Sequence, residues 1–257
     1  MVKSRIFPLL CVLLISNLNI ASPIGTDIFI LAGQSNMAGR GGVYRGRWDH
    51  NTPPECKPNP NIIRLNAELK WVEAQEPLHA DIDTNKTCGL GPGMAFGNKV
   101  LQAMAPSRTV VGLVPCAIGG TKISLWARGT PLYDQMVLRA WESIKKGGEI
   151  RAILWYQGES DTVRKEDAEA YKGNLKRLIN DIRSDLNIPN LLIIQVGLAS
   201  GEGKYVNEVR KAQKEINLPN VKYVDAKGLR LEKDNLHLTT MSEVHLGIKL
   251  ANAYLGS

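Results

Sequence analysis

Ser35 stands in "DIFILAGQSNMAGRGG" (residues 27–42), where an apolar run passes abruptly into Gly-Gln-Ser-Asn. A serine presented just beyond a strand can attack a carbonyl carbon near neutral pH. It needs a base to take its proton and a carboxylate to fix the tautomer of that base. Two hundred residues on, "DNLHLTT" (234–240) offers Asp234 and His237 in a D-x-x-H spacing. A loop can fold such a carboxylate back onto the imidazole, although the same segment also reads as a turn that caps the following helix. The other histidines suit the role less well. His245 falls inside a helical pattern, and His50 and His79 fall in loop-like sequence. No pair of ligands has metal-site spacing, so no metal and no other cofactor is expected.

Acyl transfer also needs donors for the oxyanion of the tetrahedral intermediate. The N–H of Ser35 is one candidate. The N–H of Gly120, in "AIGGTKISLW" (117–126), is a second, because glycine lets backbone approach a substrate closely. The side-chain amide of Gln157, in "YQGESD" (156–161), is a third. Gln34, Asn36 and Glu159 are expected to support the pocket, Glu159 as a buried hydrogen-bonding group. Other readings of these blocks exist. "IGGT" also suits a tight turn or a phosphate cradle, but it lacks the Lys-Ser/Thr of a P-loop. "GQSNM" is not G-x-S-x-G, since Met37 takes the last position, which disfavours an ordinary nucleophile elbow. Glu159 and Asp161 resemble paired glycosidase carboxylates, yet on one loop they are poorly placed to flank a sugar.

The elements that must position these residues alternate along the chain. Apolar runs at 27–32, 61–65, 108–116, 150–157, 190–197 and 221–226 read as strands. Helical patterns fall at 93–105, 131–146, 202–216 and 240–255. Between 165 and 186, Ala168, Tyr171, Leu175, Leu178, Ile179 and Ile182 keep the spacing of one helix face. Residues 39–61 and 74–93 read as loops. Apolar strands alternating with helices predict one α/β domain over residues 23–257: a central parallel sheet with helices on both faces. Functional groups then gather beyond the C-terminal ends of the strands, where all four polar blocks fall.

Composition is that of a folded protein, with 44% hydrophobic and 22% charged residues. The net charge of +7 is scattered along helix surfaces rather than blocked, so nucleic-acid binding is not expected. At the N-terminus, Lys3 and Arg5 precede an apolar run from Ile6 to Ile15 and the small residues Ala21 and Ser22. This is the layout of a secretory leader over residues 1–22, too short to favour a membrane span. Export, with no stable membrane insertion after cleavage, is the expectation. Cys56 and Cys88, both in loop-like sequence, are expected to pair as a disulfide, and Cys116 to be a small buried residue.

Taken together, "GQSNMAG", "IGGTKISLW", "YQGESD" and "DNLHLT" resemble the sialate O-acetylesterase-like (SASA) carbohydrate esterases of the SGNH hydrolase superfamily, most closely their plant members. The resemblance implies a flavodoxin-like three-layer α/β/α sandwich and hydrolysis of O-acetyl esters on sugars. It implies Ser35 as nucleophile, His237 as base and Asp234 as the orienting acid. The Ser35 and Gly120 N–H groups and the Gln157 amide correspond to the oxyanion donors. The third block departs from the wider superfamily, which presents G-x-N-D there. The expected partner is an acetylated carbohydrate, such as a cell-wall xylan or pectin; no oligomeric state is implied. Two other functions fit the same residues: a non-catalytic sugar-binding protein using Trp48, Trp71 and Trp126, and an esterase for small or lipid acyl esters.

Overall fold

The structure, a computed structural model, describes residues 25–104 and 110–256. The leader expected over residues 1–22 lies outside them. The first apolar run becomes β1 (Thr26–Gly33), buried along all 8 of its residues. Burial on both faces requires cover on both sides, and the side chains show it. Phe29 points to one layer, its ring 4.8 Å from that of Phe96 and 4.9 Å from that of Tyr254. On the opposite face of the sheet, Trp155 meets Trp126 edge to face at 5.3 Å.

The chain continues through α1 (Ser35–Ala38), a hairpin of β2 (Val43–Tyr44) and β3 (Arg47–Trp48), then β4 (Ile62–Leu65) and β5 (Trp71–Glu73). There follow α2 (Gly93–Met104), β6 (Val110–Pro115), α3 (Pro131–Ile144), β7 (Glu149–Tyr156) and α4 (Lys165–Asp185). The last elements are β8 (Leu192–Gly197), α5 (Val206–Lys214), β9 (Val221–Asp225) and α6 (Thr240–Leu255). The main sheet runs β5-β4-β6-β1-β7-β8-β9. All its pairings are parallel except that of the edge strand β5 with β4. The α/β/α sandwich expected from the sequence is therefore the fold. α4 buries the face from Ala168 to Ile182 that its spacing marked out.

The order of strands matters for the site. The chain fills the β6 side of β1 first and then crosses to the β7 side, so β1 ends at the point where the winding reverses. Ligands of open α/β sheets bind at such a point. Gly33 makes the exit possible. Its φ is +131°, and a Cβ there would lie 2.0 Å from the Tyr156 carbonyl oxygen. Only glycine lets β1 leave the sheet so close to β7. The next residue is tied to the same oxygen, with Gln34 N–H donating to it at 2.8 Å.

One loop expectation changes, and one strand appears where none was expected. Residues 39–61 contain the β2–β3 hairpin, in register Val43↔Trp48 and Tyr44↔Arg47. Arg45 and Gly46 both have positive φ, +48° and +72°, as a two-residue turn between twisted strands favours. Trp71–Glu73 extends the sheet as its edge.

The expected disulfide is corrected: Cys56 and Cys88 are free and buried. Cys56 lies in a single 3-10 turn, Pro54–Cys56, pinned to α2 by Asn98, whose amide donates to the carbonyls of Glu55 and Lys57. Cys88 lies elsewhere, its Sγ 3.5 Å from the Arg40 guanidinium and 3.5 Å from the His79 carbonyl. Burial pushes the Cys88 thiol up to about 11, against the pull of the Arg40 charge, so it stays protonated near neutral pH. Cys116 is buried and free.

Candidate active site

Ser35 opens α1 directly after the turn, with 4% of its surface exposed. Its Oγ lies 3.1 Å from His237 Nε2. On the far side of the ring, His237 Nδ1 lies 2.6 Å from Asp234 Oδ2. Asp234 also shapes the loop that carries the histidine, because its Oδ1 accepts the N–H groups of Leu236 at 2.9 Å and His237 at 3.0 Å. Partial burial works to raise the Asp234 carboxyl. The bonds from the His237 and Leu236 N–H groups and from the His237 ring outweigh it and hold the group below the usual carboxylate range. The loop is the tip of a small hairpin closed by Glu232 N–H donating to the His237 carbonyl at 2.7 Å and Thr239 N–H donating to the Arg230 carbonyl at 3.1 Å. His245 is exposed on α6. His79 is buried, and burial pushes it down to about 3, so it is neutral at ordinary pH.

Asn36 joins the two halves of the constellation. Its Oδ1 accepts the Leu238 N–H at 3.0 Å, which fixes the backbone next to His237. Its Nδ2 donates to Glu159 Oε1 at 2.7 Å. Glu159 is fully buried, and burial pushes its carboxyl up to about 7 despite the Asn36 bond. Leu236, on the other side of His237, is held by Ser200 Oγ donating to its carbonyl at 2.5 Å. Gln34 turns the other way. Its Oε1 accepts the N–H groups of Gly158 at 3.2 Å and Ser160 at 3.4 Å, binding the β1 exit to the β7 exit.

The glycine loop after β6 passes over the serine. A Cβ on Gly119 would lie 3.5 Å from Ser35 Cβ and 2.5 Å from Arg40 Nη2, so the backbone there is hemmed in. Gly119 N–H donates to Asp83 Oδ2 at 3.1 Å, and Asp83 forms a buried ion pair with Arg40. Gly120 follows with φ +73° and open space around it. Among the described residues neither the Ser35 nor the Gly120 N–H has an acceptor. Both are thus available to an oxyanion.

Gln157 is placed differently from the sequence expectation. Its side chain is fully buried, and its Nε2 donates to Asp161 Oδ2 at 2.6 Å and to the Thr121 carbonyl at 2.8 Å. Both amide hydrogens are spent on the loop behind the site. Asp161 accepts the Ile123 N–H as well, at 3.0 Å, and burial pushes its carboxyl up to about 6. Asp161 and Gln157 are therefore struts under the glycine loop, and Glu159 and Asp161 do not face an open cleft as glycosidase carboxylates would. Trp71 and Trp126, at 4% and 0% exposure, are core residues rather than sugar platforms. Sequence reasoning missed Arg40 and Asp83. Arg40 had one signal, an isolated cation in small-residue sequence five positions after Ser35; Asp83 had none. No group of three or more His, Cys, Asp or Glu among the described residues is arranged to hold a metal ion.

A parallel α/β/α sandwich with serine, histidine and aspartate assembled at the end of its central strand is the scaffold of the SGNH-type hydrolases. The chain belongs to the SASA family, described as carbohydrate esterase, sialic acid-specific acetylesterase, whose family model matches residues 25–256. It is 58% identical over 245 residues to the probable carbohydrate esterase At4g34215 of Arabidopsis thaliana, covering 93% of this chain and 94% of the relative. The crystal structure of the AT4G34215 protein from that plant superposes with a TM-score of 0.89 at 57% identity, over 91% of this chain and 99% of that one. NanS shares the fold, with a TM-score of 0.74 at 17% identity over 92% of this chain and 98% of its own.

Two predictions follow from this wiring. Asp83→Ala strands the Arg40 charge and frees the Gly119 N–H. Loss of one partner of a buried pair costs about 3–5 kcal/mol. A thermal melt should show that loss, and Arg40→Met in the same chain should recover most of the stability while turnover of an aryl acetate stays at least about tenfold down. The second concerns pH. Burial also pushes Glu76 up to about 8 and, with the charges of Glu76 and Glu159 adding to it, raises Glu243 well above its usual range. Glu76, Glu159 and Glu243 bind protons more tightly folded than unfolded, so their contribution is lost as pH rises through the folded values. His79 acts in the opposite sense, but only below its unfolded value of 6.5. The melting temperature should therefore fall between about pH 6.5 and 8.5, by several degrees, and Glu159→Gln should flatten the fall.

Proposed function

We propose that this protein is a secreted serine esterase that removes acetyl groups from carbohydrate through an acetyl-serine intermediate. The observation that carries the proposal is the unbroken contact from Ser35 Oγ to His237 Nε2 at 3.1 Å and from His237 Nδ1 to Asp234 Oδ2 at 2.6 Å. His237 takes the Ser35 proton as Oγ attacks the acetyl carbonyl carbon. Asp234 stabilises the imidazolium that forms and keeps its Nε2 turned to the serine. The oxyanion is received by the N–H groups of Ser35 and Gly120, held ready because neither is spent on an acceptor among the described residues. His237 then returns the proton to the departing sugar hydroxyl, and the acyl C–O bond to the sugar breaks. Water, deprotonated by the same histidine, attacks the acetyl-serine and releases acetate. No cofactor enters these steps.

The carbohydrate esterase family supports a sugar ester as the substrate. Acetylated xylan and pectin are the substrates we put forward, and the leader-like sequence at residues 1–22 is what supports export to meet them. Acetate release from acetylated xylan, acetylated pectin and an aryl acetate tests the reading. Ser35→Ala and His237→Ala should each lower turnover by at least about a thousandfold, because such residues act as a unit. A Ser35→Ala protein that still released acetate would rule the mechanism out. A preference that rose with acyl chain length would point instead to a lipid or small-ester substrate.

A further inference from the structure

Asn85-Lys86-Thr87 is the only Asn-x-Ser/Thr triplet in the chain, and its middle residue is not proline. That pattern is the acceptor for N-linked glycans in proteins that enter the secretory path. It lies in the long loop between β5 and α2. Lys86 N–H donates to the Asp83 carbonyl at 3.3 Å, which closes a turn with Thr84 and Asn85 at its tip. The turn is anchored on both sides. Asp83 is buried in its ion pair with Arg40, and Cys88 is buried against Arg40 and the His79 carbonyl. Thr84, Asn85 and Lys86, between these anchors, are exposed.

The Asn85 side chain is unspent. Its amide has no hydrogen-bond partner among the described residues. Other asparagines use theirs on the fold. Asn59 and Asn66 accept backbone N–H groups at 3.0 Å and 2.8 Å, and the Asn98 and Asn220 amides donate to backbone carbonyls. An asparagine that shaped its own turn would do likewise. Thr87 does have a structural use, since its hydroxyl donates to the Gly46 carbonyl at 2.7 Å and ties the loop to the β2–β3 turn. That bond belongs to the folded protein, whereas the acceptor triplet is read on the chain before it folds, so the two uses do not compete. Because the Asn85 amide gives nothing to the fold, a bulky hydrophilic group attached to it breaks no contact.

We propose that Asn85 carries an N-linked glycan. The donor is an oligosaccharide held on a lipid diphosphate. Asn85 Nδ2 bonds to the anomeric carbon of its first N-acetylglucosamine, and the bond from that carbon to the phosphate oxygen breaks. The lipid diphosphate leaves with the electron pair, and the amide proton passes to a base of the transferase. The glycan projects from the loop whose Asp83 holds Arg40 and the Gly119 N–H, at the catalytic end of the sheet but outside the contacts of Ser35. The inference rests on the export reading, and its test keeps the two apart. The full chain, leader included, is expressed in yeast, and the Asn85 peptide of the secreted protein is mapped by mass spectrometry. Mapping is repeated after a peptide N-glycosidase in heavy-oxygen water, which turns a glycosylated asparagine into a labelled carboxyl. The expected result is one glycan, at Asn85, lost in Asn85→Gln and Thr87→Ala and kept in Thr87→Ser. A secreted protein with a bare Asn85 would overturn the proposal. In a second arm, an established yeast leader replaces residues 1–22. A bare Asn85 there overturns the site whatever the chain's own leader does. A glycan there, while the chain with its own leader stays in the cytosol, overturns the export reading and, with it, the modification of the native chain.

Discussion

The site depends on a single close approach of two strands. At Gly33, β1 leaves the sheet so near to the Tyr156 carbonyl that no side chain fits between them. That turn throws Gln34, Ser35 and Asn36 into the crevice where the winding of the sheet reverses, and each of the three then faces a different structure. Gln34 binds the exit of β7, Ser35 meets His237, and Asn36 holds the backbone beside that histidine. Three consecutive residues thus connect the exits of β1 and β7 to the hairpin 202 positions away from Ser35. A misplacement of this turn would be felt by all of them together.

Around the serine the protein keeps an unusual amount of polarity dry. Arg40 and Asp83 are buried as a pair, and Glu159, Gln157 and Asp161 lie behind them with almost no exposure. Such groups cost stability unless each finds a partner, and a hydrophobic substitute would often serve stability as well or better. What they supply is position. Asp83 and Asp161 hold the glycine loop by its Gly119 and Ile123 N–H groups, at either side of Gly120. Glu159 holds Asn36, and Asn36 holds Leu238. The donors that the proposed reaction assigns to the carbonyl are backbone groups, which cannot be aimed by their own rotamers. The buried side chains aim them instead.

The sequence disclosed the parts of this arrangement that follow from local pattern. Strands and long helices were legible because burial on both faces makes a strand a continuous apolar run, and burial on one face gives a helix its period, as along α4. Ser35, Asp234 and His237 were legible because their chemistry demands those residue types. Short-range D-x-x-H spacing can also be judged without knowing the fold. Long-range choices were not legible. Gln157 stands where a donor was expected, but whether its amide faced the reaction or Asp161 depended on a contact with a loop 36 residues away, at Thr121. The Cys56–Cys88 pairing failed for a similar reason: loop-like composition does not say which thiols meet, and these two pack in separate places. The β2–β3 hairpin was hidden because its strands have only 2 residues each. With it Tyr44 was hidden, while Trp71 and Trp126, the more conspicuous aromatics, proved to be core.

The central claim is that Ser35, activated by His237, is the acyl acceptor. The most direct test is to react the protein with a fluorophosphonate ester, which captures activated serines covalently, and to locate the adduct by peptide mass spectrometry. The account predicts a single adduct on the peptide that contains Ser35, formed rapidly in the wild-type chain and almost not at all in His237→Ala. No adduct in a folded wild-type protein, an adduct on another serine, or labelling of Ser35 at the same rate without His237 would contradict it.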